Sequence, residues 1–180
     1  MSKNTEKTSK FLSLVLRHSP ETIGLQLDQE GWADIEQLLT AANAGGHRLT
    51  RQLLSEIVST SDKQRFTISS DGLKIRANQG HSIQVDLKLA PQTPPPRLFH
   101  GTATRFEASI RQDGLLRGTR QHVHLSSSQE VATTVGARHG KPLILTVLAE
   151  KMHEDGSVFY LSDNGVWLTE SVPVRYIAFQ

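Results

Sequence analysis

The feature that most constrains this chain is a proline-rich segment, APQTPPPR, at residues 90–97. Proline fixes φ and lacks a backbone N–H, so the four prolines within residues 91–96 favour extended polyproline geometry over helix or sheet. A segment of this kind acts as a semi-rigid spacer. It predicts two domains, residues 1–90 and 97–180, joined by a linker at 91–96.

The composition is typical of a folded protein in water. The chain has 180 residues, of which 21% are charged and 37% apolar. No apolar run approaches the roughly 20 residues that span a bilayer, and the polar start, MSKNTEKTSK, does not resemble a signal peptide. The absence of cysteine excludes disulfides, thiol nucleophiles and thiolate zinc sites. We therefore expect a cytoplasmic protein that does not enter membranes, and no obligate protein partner is evident.

The first domain predicts a winged helix. Apolar residues at helical spacing predict helices at 5–18, 32–46 and 49–61, with Thr50 as an N-cap. Residues 65–77 then alternate around Asp71-Gly72, which indicates a β-hairpin. Period-two geometry predicts that one face of this hairpin packs on the core, through Phe66, Ile68, Leu73 and Ile75. Helices followed by a hairpin are typical of folds that bind nucleic acids, although a fold alone does not give a function.

The second domain predicts a mixed, mostly antiparallel sheet with two helices, so the fold class is α+β. The predicted helices lie near 104–112 and 128–138, and the predicted strands lie at 97–101, 122–126, 142–149, 157–162, 165–169 and 173–179. Seven of the nine basic residues in 97–180 are arginines, whose planar guanidinium binds phosphate bidentately. This composition favours the binding of anions by a few individual arginines rather than by a broadly basic surface.

The segment VLRHSP at 15–20 places Arg17 and His18 where a helix is expected to end, because Pro20 cannot continue it. The apolar residues 14–16, just before Arg17, are predicted to lie in the core. One interpretation is a favourable interaction of basic side chains with the helix C-terminus. The other is that the helix aims both side chains into a phosphate site. The residues of this segment alone leave both interpretations open.

Two polar segments could contact a ligand. In IRANQGHS (75–82), the donors suited to phosphate or ribose are Arg76, Asn78, Gln79, His81 and Ser82. In FHGT (99–102), His100 comes at a strand end before Gly101. An ordinary polar loop explains the first segment equally well, and an ordinary strand-to-loop turn is the simpler interpretation of the second segment taken alone.

The segment GLLRGTRQHVHLS (114–126) is denser in polar groups. His122 and His124 share one strand face near Arg117 and Arg120. A zinc site needs three or four ligands, and no further ligand has a suitable spacing, so we expect no metal. The two histidines are better explained as part of a polar strand that lines a cleft beside an arginine.

The sequence also lacks nucleotide-binding glycine loops, serine-hydrolase and zinc-protease motifs and clustered carboxylates. These absences favour chemistry that depends on holding anions.

Five ordered segments carry a resemblance that covers nearly the whole chain: LSLVLRHSPETIGLQLDQEGWADIEQLL, QRFTIS, IRANQGHS, LFHGT and GLLRGTRQHVHLS. Together they resemble the RNA 2′-phosphotransferase family, enzymes that remove an internal 2′-phosphate from RNA, such as tRNA, while consuming NAD. The resemblance implies a winged-helix lobe for RNA and an ADP-ribosyltransferase-like lobe for NAD, with no metal. It also implies that Val166 stands where other ADP-ribosyltransferases often carry a glutamate.

The resemblance implies roles for particular residues. The catalytic set would be Arg17, His18, Arg65 and Arg120. The residues that contact RNA phosphate would be Arg76, Asn78, Gln79 and His81. The residues that bind NAD would be His100, Gly101, Thr102, Gly114, Leu115, His124 and Ser126. The arginines would hold the 2′-phosphate, and His18 would orient or deprotonate a ribose hydroxyl.

The implied reaction has two steps. The RNA 2′-phosphate attacks the anomeric carbon of the nicotinamide ribose, and nicotinamide leaves. The ribose 2″-hydroxyl then attacks phosphorus, which frees the RNA 2′-hydroxyl and forms ADP-ribose 1″,2″-cyclic phosphate. Two alternatives remain: an NAD-dependent ADP-ribosyltransferase of phosphorylated nucleic-acid ends, and a non-enzymatic RNA-binding winged-helix protein.

Overall fold

The chain divides into two compact units, Met1–Lys88 and Leu89–Gln180, in a computed structural model that describes residues 3–61 and 63–179. None of the helices within these described ranges is both long enough and apolar enough to cross a membrane.

The first unit combines helices with a small antiparallel sheet. The helices are α1 (Lys3–Arg17), α2 (Ile35–Ala44) and α3 (Arg51–Thr60), and the strands are β1 (Ala33–Asp34), β2 (Phe66–Ile68) and β3 (Lys74–Ala77). Strand β3 lies between β1 and β2 and is antiparallel to both. The core is formed by apolar side chains of the helices and the sheet, among them Leu12, Val15, Leu38, Leu54, Ile57, Phe66 and Ile75.

Side-chain caps explain where α2 and α3 begin. The carboxylate of Asp34 accepts a hydrogen bond from the backbone N–H of Gln37, and the hydroxyl of Thr50 accepts one from Leu53. Each bond satisfies one N–H that has no partner inside its helix. The three predicted helices and the N-cap at Thr50 are therefore confirmed.

The predicted hairpin is also confirmed, with Thr67 paired to Arg76 and Ile68 to Ile75. Two of the predicted core positions are wrong. Leu73 is 55% exposed because the connection between β2 and β3 spans five residues, which leaves Leu73 outside the strand ladder. Leu14 is 45% exposed because it lies on the side of α1 away from the core.

The second unit is built on antiparallel strand pairs with short helices, which confirms the α+β class. Its strands are β4 (Leu98–Ala103), β5 (Leu115–Leu116), β6 (Val123–Leu125), β7 (Pro142–Val147), β8 (Tyr160–Leu161), β9 (Trp167–Thr169), β10 (Ser171–Val172) and β11 (Ile177–Phe179). The sheets have the orders β11-β7-β4, β6-β9-β8 and β10-β5. The helices are α4 (Glu107–Asp113), α5 (Gln129–Gly136) and α6 (Ala149–Glu154).

Glycine allows α5 to lie directly against β4. A Cβ placed on Gly101 would lie 1.7 Å from the carbonyl oxygen of Ala132, and one on Gly136 would lie 2.6 Å from that of Thr102. Any larger residue at either position would push the helix from the sheet. Packing is therefore sufficient to explain the glycine at position 101.

The proline-rich segment lies on the second unit. Pro91 forms a bridge with Tyr160, the backbone N–H of Gln92 donates to the carbonyl of Phe159, and Pro94 is buried. The segment belongs to no helix or strand, and it packs against its own unit through at least these contacts.

Candidate functional site

In the first unit, basic side chains gather at the C-terminus of α1; we call Arg17, His18, Arg65, Arg76 and His81 the basic cluster. Nη2 of Arg17 lies 3.4 Å from the carbonyl oxygen of Arg65, to which it donates. Nη1 of Arg65 donates to the hydroxyl of Ser9, on α1, at 3.3 Å. Helix α1 and the start of β2 thus hold these two arginines in one place, although they are 48 residues apart in sequence.

The loop that follows β3 is tied to the end of α1. The backbone N–H of Ser82 donates to the carbonyl of Arg17 at 2.9 Å, and the hydroxyl of Ser82 lies 2.9 Å from Nδ1 of His18. The loop thereby satisfies a carbonyl at the helix end. The same contacts fix the position of His18 beside Arg17.

Arg76 lies over an aromatic ring. Its guanidinium carbon is 4.6 Å from the ring centre of Trp32. Stacking fixes the plane of the guanidinium, and its N–H donors all lie within that plane. Trp32 therefore orients Arg76 for a ligand that approaches from the edge of the guanidinium, as phosphate does.

His81 is the most deeply buried member of the basic cluster, with 1% of its surface exposed and no hydrogen-bond partner for either ring nitrogen. Burial, together with the positive charges of Arg17, His18 and Arg76, lowers the pKa of His81 to about 4. Its charged neighbours are thus all basic. An anion beside Arg17 and Arg76 would offset this concentration of positive charge.

Asn78 and Gln79 differ in their surroundings. The side-chain oxygen of Asn78 accepts from the hydroxyl of Thr67, and its side-chain nitrogen donates to the carbonyl of Gln64, both at 2.6 Å. These bonds hold the base of the hairpin together. The side-chain oxygen of Gln79 is buried without a hydrogen-bond partner. Contact of either residue with RNA stays a prediction.

In the second unit, His100 on β4 is joined to His124 on β6. Nδ1 of His100 lies 3.0 Å from the carbonyl oxygen of His124. Because a carbonyl only accepts, Nδ1 carries the proton and Nε2 is left as an acceptor. Burial lowers the pKa of His100, and this effect outweighs the hydrogen bond to His124, which raises it. The neutral imidazole is therefore favoured.

Arg120 is exposed, and its Nη1 lies 3.3 Å from Nδ1 of His124. Arginine only donates, so Nδ1 of His124 accepts and its proton lies on Nε2. The strands that carry these histidines are joined through paired backbone hydrogen bonds of 2.8 Å between Phe99 and Ser126. Arg120, His124 and His100 therefore form a connected series.

A cleft of about 260 Å³ lies beside His100. It is lined by His100, Thr102, Phe106, Ser109, Ile110, Asp113, Gly114, Leu115 and Leu116. Phe106 and Leu116 are 40% and 67% exposed, which is high for such apolar residues. Sites for drug-sized ligands have volumes of roughly 300–1,000 Å³, so the cleft suits a small ligand or one part of a larger ligand.

Gly114 and Leu115 have backbone roles at this cleft. Gly114 has a φ of +77°, and a Cβ there would lie 2.3 Å from the carbonyl oxygen of Val172. Leu115 is buried and pairs with Val172. The hydroxyl of Ser126 accepts a hydrogen bond from the backbone N–H of Ser128, just before α5.

The structure therefore groups the predicted residues within each unit. The first unit brings together Arg17, His18, Arg65, Arg76 and His81, and the second connects Arg120, His124 and His100 to a cleft that also contains Thr102, Gly114 and Leu115. Ser9, Phe106 and Asp113 lie outside the segments that the sequence singles out. Trp32 and Ser82 lie inside two of those segments, but their contacts with Arg76 and His18 join residues far apart in the chain and carry no sequence signal. No cluster of three or more potential metal ligands occurs among the residues that the structure describes.

Comparisons with known proteins give one consistent result. The profile of the family described as "RNA 2'-phosphotransferase, Tpt1 / KptA family" matches residues 3–171. A relative from Acaryochloris marina is 56% identical over 176 residues, which cover 98% of this chain and 97% of the relative. One from Agrobacterium fabrum is 58% identical over 170 residues, covering 94% and 91%. One from Escherichia coli strain SE11 is 54% identical over 182 residues, covering 98% and 99%. Each of the three bears the name "Probable RNA 2'-phosphotransferase".

Proposed function

Because this chain belongs to the RNA 2′-phosphotransferase, Tpt1/KptA, family, we propose that it removes an internal 2′-phosphate from RNA by transferring it to NAD. The products would be RNA with a 2′-hydroxyl, nicotinamide and ADP-ribose 1″,2″-cyclic phosphate, formed in two steps through an ADP-ribosylated 2′-phosphate. Membership of this family supports RNA 2′-phosphotransferase activity, and we add to it the dependence on NAD and the two-step route.

The observation that carries the proposal is the basic cluster at the end of α1. Arg17 and Arg65 are held together, His18 is fixed by Ser82, and the charged neighbours of His81 are all basic. A site of this charge suits a phosphate dianion. A 2′-phosphate is already an anion at neutral pH, so the reaction needs no strong base to activate it.

The proposed roles follow from the chemistry of the side chains. Arg17, Arg65 and Arg120 bind the 2′-phosphate and stabilise the charge of the transition state at phosphorus. His18 contacts the ribose hydroxyl that acts in the second step and orients it or takes its proton. Arg76 binds a phosphate of the RNA, with Asn78, Gln79 and His81 in the same loop.

NAD, when bound, would supply an electrophilic anomeric carbon with nicotinamide as its leaving group. In the second unit, His100 and Thr102 line the cleft together with Gly114 and Leu115, and His124 joins His100 to Arg120. These residues, with Gly101 and Ser126, are the ones we propose to hold it. The cleft supports this assignment because it combines apolar walls with hydrogen-bonding groups.

We also propose that the first unit is a winged helix that binds RNA and that the second is an ADP-ribosyltransferase-like domain. The hairpin of β2 and β3 after three helices supports the first assignment, and the antiparallel strands with α4 and α5 support the second. The protein would act in RNA processing in the cytoplasm, with tRNA-like RNA as substrate.

The experiment that tests the proposal uses a short RNA with one internal 2′-phosphate, incubated with the protein with and without NAD. We expect complete conversion to 2′-hydroxyl RNA and the cyclic phosphate product only when NAD is present. A stable ADP-ribosylated RNA with no cyclic product would favour the end-modifying alternative. RNA binding without any release of nicotinamide would favour the non-enzymatic alternative.

A further inference from the structure

The cleft beside His100 contains a carboxylate that the proposed reaction does not use. We propose that Asp113 selects NAD over NADP by accepting a hydrogen bond from the 2′-hydroxyl of the adenosine ribose, where a 2′-phosphate would be repelled. This inference rests on the proposed use of NAD and adds a residue that determines specificity.

The series Arg120–His124–His100 indicates which end of the dinucleotide reaches the cleft. Nη1 of Arg120 lies 3.3 Å from Nδ1 of His124, and the carbonyl of His124 lies 3.0 Å from Nδ1 of His100, whose ring lines the cleft. Under the proposed function Arg120 acts where the reaction occurs, which is at the nicotinamide ribose. The opposite end, the adenosine, would then extend past His100 into the cleft.

The chemistry of the cleft agrees with that orientation. None of the nine residues that line it is lysine or arginine. A diphosphate inside it would lack a cationic partner and would meet the carboxylate of Asp113, so the diphosphate belongs outside. The exposed side chains of Phe106 and Leu116 offer apolar surface for a flat base.

Asp113 lies at an exposed position where its own helix does not favour a carboxylate. It is the last residue of α4, and a negative charge at a helix C-terminus opposes the helix dipole. Its carboxylate has no hydrogen-bond or ion-pair partner among the residues described, whereas Glu107 on the same helix is paired with Arg111. A carboxylate in a dinucleotide site is well suited to bind ribose hydroxyls.

The test measures binding of two unreactive ligands, ADP-ribose and its adenosine 2′-phosphate analogue, to the full chain by titration calorimetry. We expect the natural sequence to bind ADP-ribose about tenfold more tightly, as expected for repulsion between a carboxylate and a phosphate in a partly enclosed site. In Asp113→Asn that preference should fall by about fivefold or more, mainly through tighter binding of the phosphorylated ligand.

The matched control is Glu154→Gln, which makes the same change of charge at the exposed last residue of α6, outside the cleft. This variant should retain the preference of the natural sequence, and circular dichroism should show that both variants are folded. Equal binding of the two ligands by the natural sequence, or an unchanged preference in Asp113→Asn, would overturn the inference. If the protein consumes NAD with 2′-phosphorylated RNA in that case, the proposed function survives; if it binds neither ligand and consumes no NAD, both fail.

Discussion

The hydroxyl of Ser82 lies 2.9 Å from Nδ1 of His18, while its backbone N–H donates to the carbonyl of Arg17. One residue of the loop therefore holds the C-terminus of α1 and orients the imidazole that follows it. In the proposed reaction this makes Ser82 a positioning residue for the second step.

The first prediction is that Ser82→Ala slows the second step about fivefold, because a single hydrogen bond contributes about 1 kcal/mol. The first step should be nearly unchanged, so the ADP-ribosylated RNA should accumulate. Single-turnover experiments that follow both RNA species measure the two rates. Ser82→Thr, which keeps the hydroxyl, should behave as the natural sequence.

His18→Ala should show the same accumulation more strongly, and an absence of intermediate in both variants would contradict the role of His18.

The second prediction concerns Arg120, whose side chain is exposed and contacts His124. Arg120→Ala should reduce dephosphorylation by about 100-fold or more, as expected when a donor to transition-state charge is removed. Its thermal unfolding should be unchanged, because an exposed side chain contributes little to the core. The control is Arg175→Ala, which removes an exposed arginine elsewhere in the same unit. Near-normal activity of Arg120→Ala would remove Arg120 from the reaction.

The third prediction separates packing from ligand binding at Gly101. Gly101→Ala should destabilise the second unit by about 3 kcal/mol, because its Cβ would meet the backbone of α5. Urea unfolding measures the loss. Gly45→Ala is the control, since Gly45 has a φ of −80° and a Cβ there would have ordinary contacts from 3.4 Å outward. If Gly101→Ala keeps its stability and only its affinity for NAD falls, the packing role is wrong.

The sequence predicted elements whose signals are local. The N-cap at Thr50 and the hairpin around Asp71-Gly72 depend on residues close together in the chain, and both were correctly placed. Short elements were missed because two residues carry too little periodicity, as in β1. The apolar run at 142–149 predicts a single strand, whereas strand β7 ends at Val147 and helix α6 begins at Ala149.

The candidate site was predictable only in part, because its contacts join distant residues. His18 and Ser82 are 64 residues apart, and no periodicity relates them. The sequence indicated that Asn78 is a polar donor, but the structure alone shows that its amide bonds to Thr67 and Gln64. Asp113 gave no signal at all, because a single carboxylate at a helix end belongs to no motif.

The last prediction concerns stability against pH and rests on His81, whose pKa is lowered to about 4 by burial and by neighbouring positive charge. In the unfolded chain a histidine takes up its proton near pH 6.5, whereas the folded protein takes it up only near pH 4. The unfolded state therefore binds more protons between these values, and the free energy of unfolding should fall as pH decreases from 6.5 to 4, by on the order of 3 kcal/mol. His81→Leu should lose this contribution and show a flatter profile in urea unfolding across that range, while the exposed control His139→Leu should keep the full slope. Parallel profiles for His81→Leu and the natural sequence would show that His81 is not buried as a neutral imidazole.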